Sequence, residues 1–182
     1  MGRKHSKQDI LAAGVQVARE QGLSQLSFGR VAKVVGISDR TVVYYFPTKE
    51  ALVSEVMVAI GGDMQSGLAS AFQGQAADHL ALCRAAWPVL ATPELDATFA
   101  LFFEASGLAA AGRSPFDRLV PGMIHAWSDW LMQFLDGAEE DRRREADATI
   151  ALIDGLLFCR QTAGPEAAER AAIGLGVIEG EL

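Results

Sequence analysis

The feature that most constrains this chain is the stretch from residue 27 to residue 49, SFGRVAKVVGISDRTVVYYFPTK, in which two short apolar stripes meet at a glycine. Phe28, Val31, Ala32 and Val35 recur at helical spacing, Gly36 interrupts, and Ile37, Val42 and Phe46 supply a second stripe. Ser27 and Ser38 stand where each helix needs a side-chain oxygen for its unpaired N–H groups. The pattern predicts helix, tight turn, helix. With Val42 turned inward, a step of about 100° per residue puts Arg40 and Tyr44 on the opposite side, flanked by Thr41 and Val43. A cationic, aromatic and hydroxylic face of this kind suits the major groove of DNA, where arginine pairs with guanine and hydroxyls and apolar groups read other base edges. An ordinary αα-hairpin with a solvated outer face has the same spacing, so this stripe alone does not decide function.

The neighbouring residues narrow the choice. Over residues 6 to 58 the chain resembles the DNA-binding domain of the TetR family of transcriptional repressors. The segments that carry the likeness are ILAAGVQVAREQG, LSFGRVAKVVGIS and TVVYYFPTKEALV, in which Phe46, Lys49 and Leu52, with Glu50 between them, fit the family pattern F-x-x-K-x-x-L. Two positions depart from it: Arg40 stands where the family often has glycine or proline, and Val43 where it usually has tyrosine. The second departure removes one phosphate or base contact, which Tyr44 or Arg40 is placed to supply. The resemblance implies an all-α protein of about nine helices, with a three-helix head over residues 1–47 and a helical effector-binding and dimerisation domain over 48–182. Its implied partners are double-stranded DNA carrying a palindromic operator, a small hydrophobic effector and a second copy of the chain. The DNA-contacting set it implies is Ser27, Gly29, Arg30, Asp39, Arg40, Thr41, Val43, Tyr44, Tyr45, Thr48 and Lys49.

The net charge of −7 fits a DNA binder only when it is divided along the chain. Residues 1–50 hold eight Lys/Arg and four Asp/Glu, a balance of +4, which leaves −11 on the rest. A basic head on an acidic body keeps the body off the phosphates while the head approaches them. Half of the 182 residues are hydrophobic, enough for a sizeable core without staples. Cys83 and Cys159 sit in apolar helical stretches and read as free thiols rather than a disulfide framework or metal site. The opening MGRKHSKQ is not followed by an apolar run, and no run of 18 apolar residues comes later, so neither an export signal nor a membrane span is expected, and the expected location is the cytoplasm.

Along the chain, Arg3 and Lys4 form a basic arm able to add phosphate or minor-groove contacts. Ser6 with Asp9 reads as a capping pair for a first helix that ends near Gly22. Thr48 caps a fourth helix whose N-terminal N–H groups, with Lys49, form a phosphate clamp. Gly61-Gly62 is expected to interrupt that helix and is a candidate hinge, and Gln73-Gly74 to end it. Five further helices are expected: from about Ala76 to Leu90, from Thr92-Pro93, from Ser114-Pro115, from about Glu139 to Thr162, and from Pro165. Pro121-Gly122 should break the seventh, leaving a main body from Met123 to about Asp136. The EEDRRRE run reads as a solvated helix face.

The last two helices are apolar on more than one face. Ala151, Asp154, Gly155 and Phe158 on the eighth, with Ala168, Ala171 and Leu175 on the ninth, are the candidate dimer interface, pairing with their mates in a four-helix arrangement as in the resembled family. The middle helices carry most of the aromatic residues. Trp87, Phe99, Phe103, Met123, Trp127 and Phe158 are candidates for the effector pocket, with His125, Glu104, Asp96 and Cys159 as polar anchors. An enzyme is not expected: Glu94 with Asp96, or His79 with Cys83, is the nearest to a reactive pair, and neither has a third orienting group. No cofactor or metal is expected. The alternative within the same class is a helical DNA-binding regulator controlled by a protein partner or by no ligand.

Overall fold

The computed structural model describes residues 5–72 and 74–180. Among them run nine α-helices: α1 (Lys7–Gln21), α2 (Phe28–Val35), α3 (Asp39–Tyr45), α4 (Lys49–Ala69), α5 (His79–Leu90), α6 (Pro93–Ala110), α7 (Phe116–Leu131), α8 (Glu139–Ala163) and α9 (Pro165–Gly174). Single 3₁₀ turns lie at Leu23–Gln25 and Met132–Phe134. The all-α expectation holds. Arg3, Lys4 and Gln73 lie outside the described residues.

The chain divides into two compact units. The first holds the residues up to Asp63 together with Leu101–Val120; the second holds Met64–Ala100 and the residues from Pro121 onward.

In the first unit, local signals set the helix ends. The Ser6 hydroxyl accepts from the Asp9 N–H and the Asp9 carboxylate accepts from the Ser6 N–H, so α1 opens on the predicted reciprocal cap. Gly36 closes α2 in the left-handed region, at φ 78° and ψ 36°, and its N–H and that of Ile37 both bond the Ala32 carbonyl. Any side chain at Gly36 would strain that turn. Ile10, Val17, Leu26, Val31, Val42, Phe46, Leu52 and Val56 are wholly buried and form one core under α1 to α4. At Gly14 an added Cβ would stand 2.8 Å from Val56, so only glycine lets α1 approach α4 this closely.

The second unit is built on α8. α5 and α9 both pack on it, and its buried stripe is Ala146, Thr149, Ile153, Leu156 and Leu157. Arg160 of α8 grips Asp96 of α6 with two hydrogen bonds of 2.7 and 3.0 Å. His79 and Glu145 join α5 to α8: the carboxylate accepts the His79 N–H at 3.0 Å and lies 2.6 Å from Nδ1. Those two bonds, ring first, hold the Glu145 carboxyl below its ordinary pKa.

Three boundaries differ from expectation. α5 starts at His79 rather than Ala76, because Asp78 caps it and Ala76 is bonded elsewhere: its N–H donates to Phe134 O at 2.7 Å and its carbonyl accepts from Asp136 N–H at 3.1 Å. The same pairing stops the seventh helix at Leu131, short of Asp136, by taking the backbone groups a helix would use. Pro121 does not break α7. The carbonyl whose helical donor it removes belongs to Asp117, and both residues are exposed, so that carbonyl is open to solvent rather than buried without a partner.

Gly61-Gly62 does not interrupt α4 either, which is one helix through both glycines to Ala69. A Cβ at Gly62 would meet nothing within 4 Å. Gly62→Ala should therefore stabilise the protein by roughly 0.5–1 kcal/mol, the ordinary helix-interior difference, measured as a raised midpoint in urea with unchanged slope. A lowered midpoint would show that the glycine is needed.

Candidate nucleic-acid interface

The first unit presents α3 to solvent along one side only. Val42 is fully buried, which turns Arg40, Val43 and Tyr44 outward, and Tyr44 is 80% exposed. Ser38 caps the helix through the Thr41 N–H, and its hydroxyl lies 3.0 Å from that of Thr41, so both hydroxyls at this end are oriented. The Tyr44 ring stands edge-on to Tyr45, 5.1 Å between centroids, and the Tyr45 hydroxyl donates to the His5 carbonyl at 3.3 Å. Tyr45 is thus committed to His5, while Tyr44 keeps its face and hydroxyl in water.

The other predicted residues divide in the same way. Ser27 caps α2 through the Arg30 N–H, and the Arg30 guanidinium donates to Gln21 at 2.7 Å. Gly29 leaves room for Asp39: an added Cβ would lie 3.4 Å from its carboxylate. Thr48 accepts the Ala51 N–H at 3.1 Å and caps α4, with exposed Lys49 as the first helical residue. Lys7 pairs with Glu55 and Arg19 with Asp63, whereas Arg40 and Lys49 have no carboxylate partner among the described residues. Lys33 on α2, outside the predicted set, is likewise exposed and unpaired there. Cations left unneutralised on an acidic protein are what a polyanion would meet.

The candidate pocket residues lie apart from the cavities described. Trp87 and Phe99 are buried, Met123 and Trp127 half-buried, all in the second unit. Trp127 stands edge-on to Trp130, which also packs on Phe72 and Phe134 with centroids 4.9–5.7 Å apart. Phe103 belongs to the first unit, beside Phe102, and Phe158 is 53% exposed. Two described cavities lie in the first unit. One, about 570 Å³, is an open groove between α1 and α4 lined by Leu11, Val15, Arg19, Ala59 and Asp63; the other, about 230 Å³, is lined by Leu23, Ser24, Lys49, Leu108 and Phe116 among others. Of the polar anchors, Asp96 is taken by Arg160, Glu104 by backbone N–H groups of Leu23 and Ser24, Cys159 is half-buried and His125 exposed. Cys83 is buried, and burial pushes its thiol up to about 12, so no thiolate is available to pair with His79.

On the candidate dimer face, Ala151, Gly155, Phe158 and Leu175 are exposed, Asp154 and Ala171 half-buried, and Ala168 fully buried within the protomer. Asp154 has no hydrogen bond or ion pair among the described residues, and burial pushes its carboxyl up to about 7.

Residues 10–56 match the family model of bacterial regulatory proteins, tetR family. No curated protein matches the chain at a significant level. Solved structures share its fold. A Rhodococcus sp. protein assigned as a TetR-family transcriptional regulator aligns with a TM-score of 0.74 at 17% identity, covering 96% of this chain and 98% of its own. A transcriptional regulator from Rhodococcus sp. Rha1 aligns at 0.72 and 23%, covering 96% of each. The multidrug binding protein EbrR, complexed with proflavin, aligns at 0.68 and 21%, covering 94% of this chain and 99% of its own.

Asp154 generates a pH test. Its folded pKa of about 7 lies above the ordinary 3.8, so the native state keeps a proton that the unfolded chain releases, and stability falls as pH rises between those values. Asp154→Asn removes that loss. The variant should melt above the parent at pH 8, with the difference shrinking towards pH 4.

Proposed function

We propose that the chain is a DNA-binding transcriptional regulator of the TetR family, a repressor released from a palindromic operator by a small hydrophobic effector; the family-model match over residues 10–56 and the shared fold support this reading. The observation that carries the DNA half of this proposal is the outward side of α3, with Arg40, Val43 and Tyr44 over buried Val42, beside an exposed Lys49 in the first turn of α4. In this scheme α3 enters the major groove. Arg40 and Tyr44 reach base edges, and Thr48-Lys49, with the α4 N-terminus, anchors a phosphate. The head is residues 1–47 and the remainder is the effector and dimerisation domain.

Two weak readers on one body bind a two-fold-related site far better than one, so the scheme needs a dimer. Phe158 and Leu175, 53% and 50% exposed at the α8–α9 side, with Ala151 and Gly155 small enough for close helix approach, support that face as the interface. Ala168, buried in its own protomer, would then support the face from behind.

The effector would be held in the second unit among Trp87, Phe99, Met123 and Trp127. EbrR, which shares the fold, holds proflavin and, in another structure, imidazole. Effector binding would shift the α4 helices of the dimer, changing the separation of the heads and weakening their grip on DNA. A helix unbroken from Lys49 to Ala69 supports α4 as the moving part, since it displaces as a rod.

Selection of bound fragments from random DNA tests the reader and the dimer together. A two-fold-related motif is expected, and a motif without symmetry would remove the dimeric operator. On the selected site, Arg40→Ala should cost roughly 1–3 kcal/mol and relax preference at one base position. Lys49→Ala should weaken all sequences alike and flatten the salt dependence by about one phosphate. If both variants bind every sequence as the parent does, α3 is not the reader. For the effector, titrating proflavin and a panel of hydrophobic compounds should change the fluorescence of Trp87, Trp127 or Trp130 and release the DNA. Release only by another protein would favour control by a partner.

A further inference from the structure

The α1–α2 connection has no side-chain cap of its own. Its single 3₁₀ turn, Leu23–Gln25, follows Gly22, which has no side chain to cap it. A cavity of about 230 Å³ lies against Leu23 and Ser24, so packing on that side is incomplete. The cap comes from elsewhere. Glu104, in α6 and 81 positions beyond Leu23, accepts the Leu23 N–H at 3.0 Å through Oε2 and the Ser24 N–H at 3.1 Å through Oε1. Gly22 makes this possible: its φ of 87° suits glycine, and a Cβ there would come within 3.3 Å of Glu104 Oε2. Compactness agrees, since Leu101–Val120 groups with the residues up to Asp63.

We propose that Glu104 is a positioning residue for the DNA-binding head, setting the stance of α2 and α3 through the α1–α2 turn and making that stance answer to α6. The proposal rests on the DNA-binding function above. Both oxygens of one carboxylate are engaged by successive N–H groups, so the clamp fixes the direction of the turn as well as its distance. Charge-assisted bonds of this length fail once the atoms separate by about 0.5 Å more, so a small displacement of α6 would unlatch the turn. The other polar ties of α1, Lys7–Glu55, Arg19–Asp63 and Gln21–Arg30, join exposed side chains and contribute little to fixing its angle. α6 would thus control the head directly, in parallel with α4.

The test uses the full chain with Glu104→Ala and Glu104→Gln, the second keeping one acceptor. In the absence of DNA, amide exchange at Leu23, Ser24 and along α2 should be at least about tenfold faster in Glu104→Ala, intermediate in Glu104→Gln, and unchanged along α8 and α9. On duplexes carrying the selected half-sites at the native spacing and at spacings one or two base pairs longer or shorter, the parent should discriminate. Glu104→Ala should lose about tenfold at the best spacing and bind the neighbouring spacings nearly as well, while its affinity for a single half-site stays within about twofold. Unchanged exchange overturns the clamp. Faster exchange with the spacing preference intact overturns the positioning role. A parent that selects no two-fold-related DNA overturns the DNA-binding scheme and this proposal with it; a parent that does, beside an indistinguishable Glu104→Ala, overturns this proposal alone.

Discussion

Everything α3 can do depends on the burial of Val42 and Phe46. A helix of seven residues is far too short to persist in water on its own, because the cost of nucleating it is recovered only over several turns. It persists here because one side sinks into the core of the first unit, with Ile10, Val17, Leu26, Val31, Leu52 and Val56. Each such side chain contributes roughly 1.5–3 kcal/mol when fully buried, more than any exposed ion pair in the head. The outward side can then be chosen for recognition alone. Tyr44 and Val43 are tolerated as exposed apolar groups because stability has been settled underneath them.

Polar groups in the head serve geometry rather than strength. Ser6, Ser27, Ser38 and Thr48 each satisfy N–H groups at a helix start, which fixes where α1 to α4 begin. Arg30, held by Gln21, joins α2 to α1. In the head, Arg40, Lys49 and Lys33 are left without a carboxylate partner among the described residues, on a protein whose net charge is −7.

How far the sequence was legible follows from the range of each interaction. The caps at Ser6, Ser27 and Ser38, the left-handed turn at Gly36 and the inward Val42 are all decided within four residues, and each is where its spacing predicts. The clamp from Glu104 to Leu23, the Asp96–Arg160 pair and the Ala76–Leu135 bridge join residues far apart in the chain. No local pattern announces them. For that reason Glu104 and Asp96 read in sequence as anchors for a pocket, although both are committed within the protein. Pro121 shows a different failure. The rule that proline ends a helix presumes that the freed carbonyl has nowhere to go, and exposure of Asp117 and Pro121 removes that premise.

Asp154 marks where local signals conflict. Its place on α8, one residue before exposed Gly155 and four before exposed Phe158, reads as part of an apolar face, yet a carboxylate there has lost water without gaining a partner. Near neutral pH it is divided between charged and neutral forms, so the cost of keeping it is largest where the charge is complete. A second chain covering the Ala151, Gly155 and Phe158 stripe would either deepen that cost or supply a donor that removes it. A donor would return the carboxyl towards its ordinary range, whereas an apolar cover would push it higher still. The ionisation of one side chain therefore reports on the chemistry of whatever meets this face.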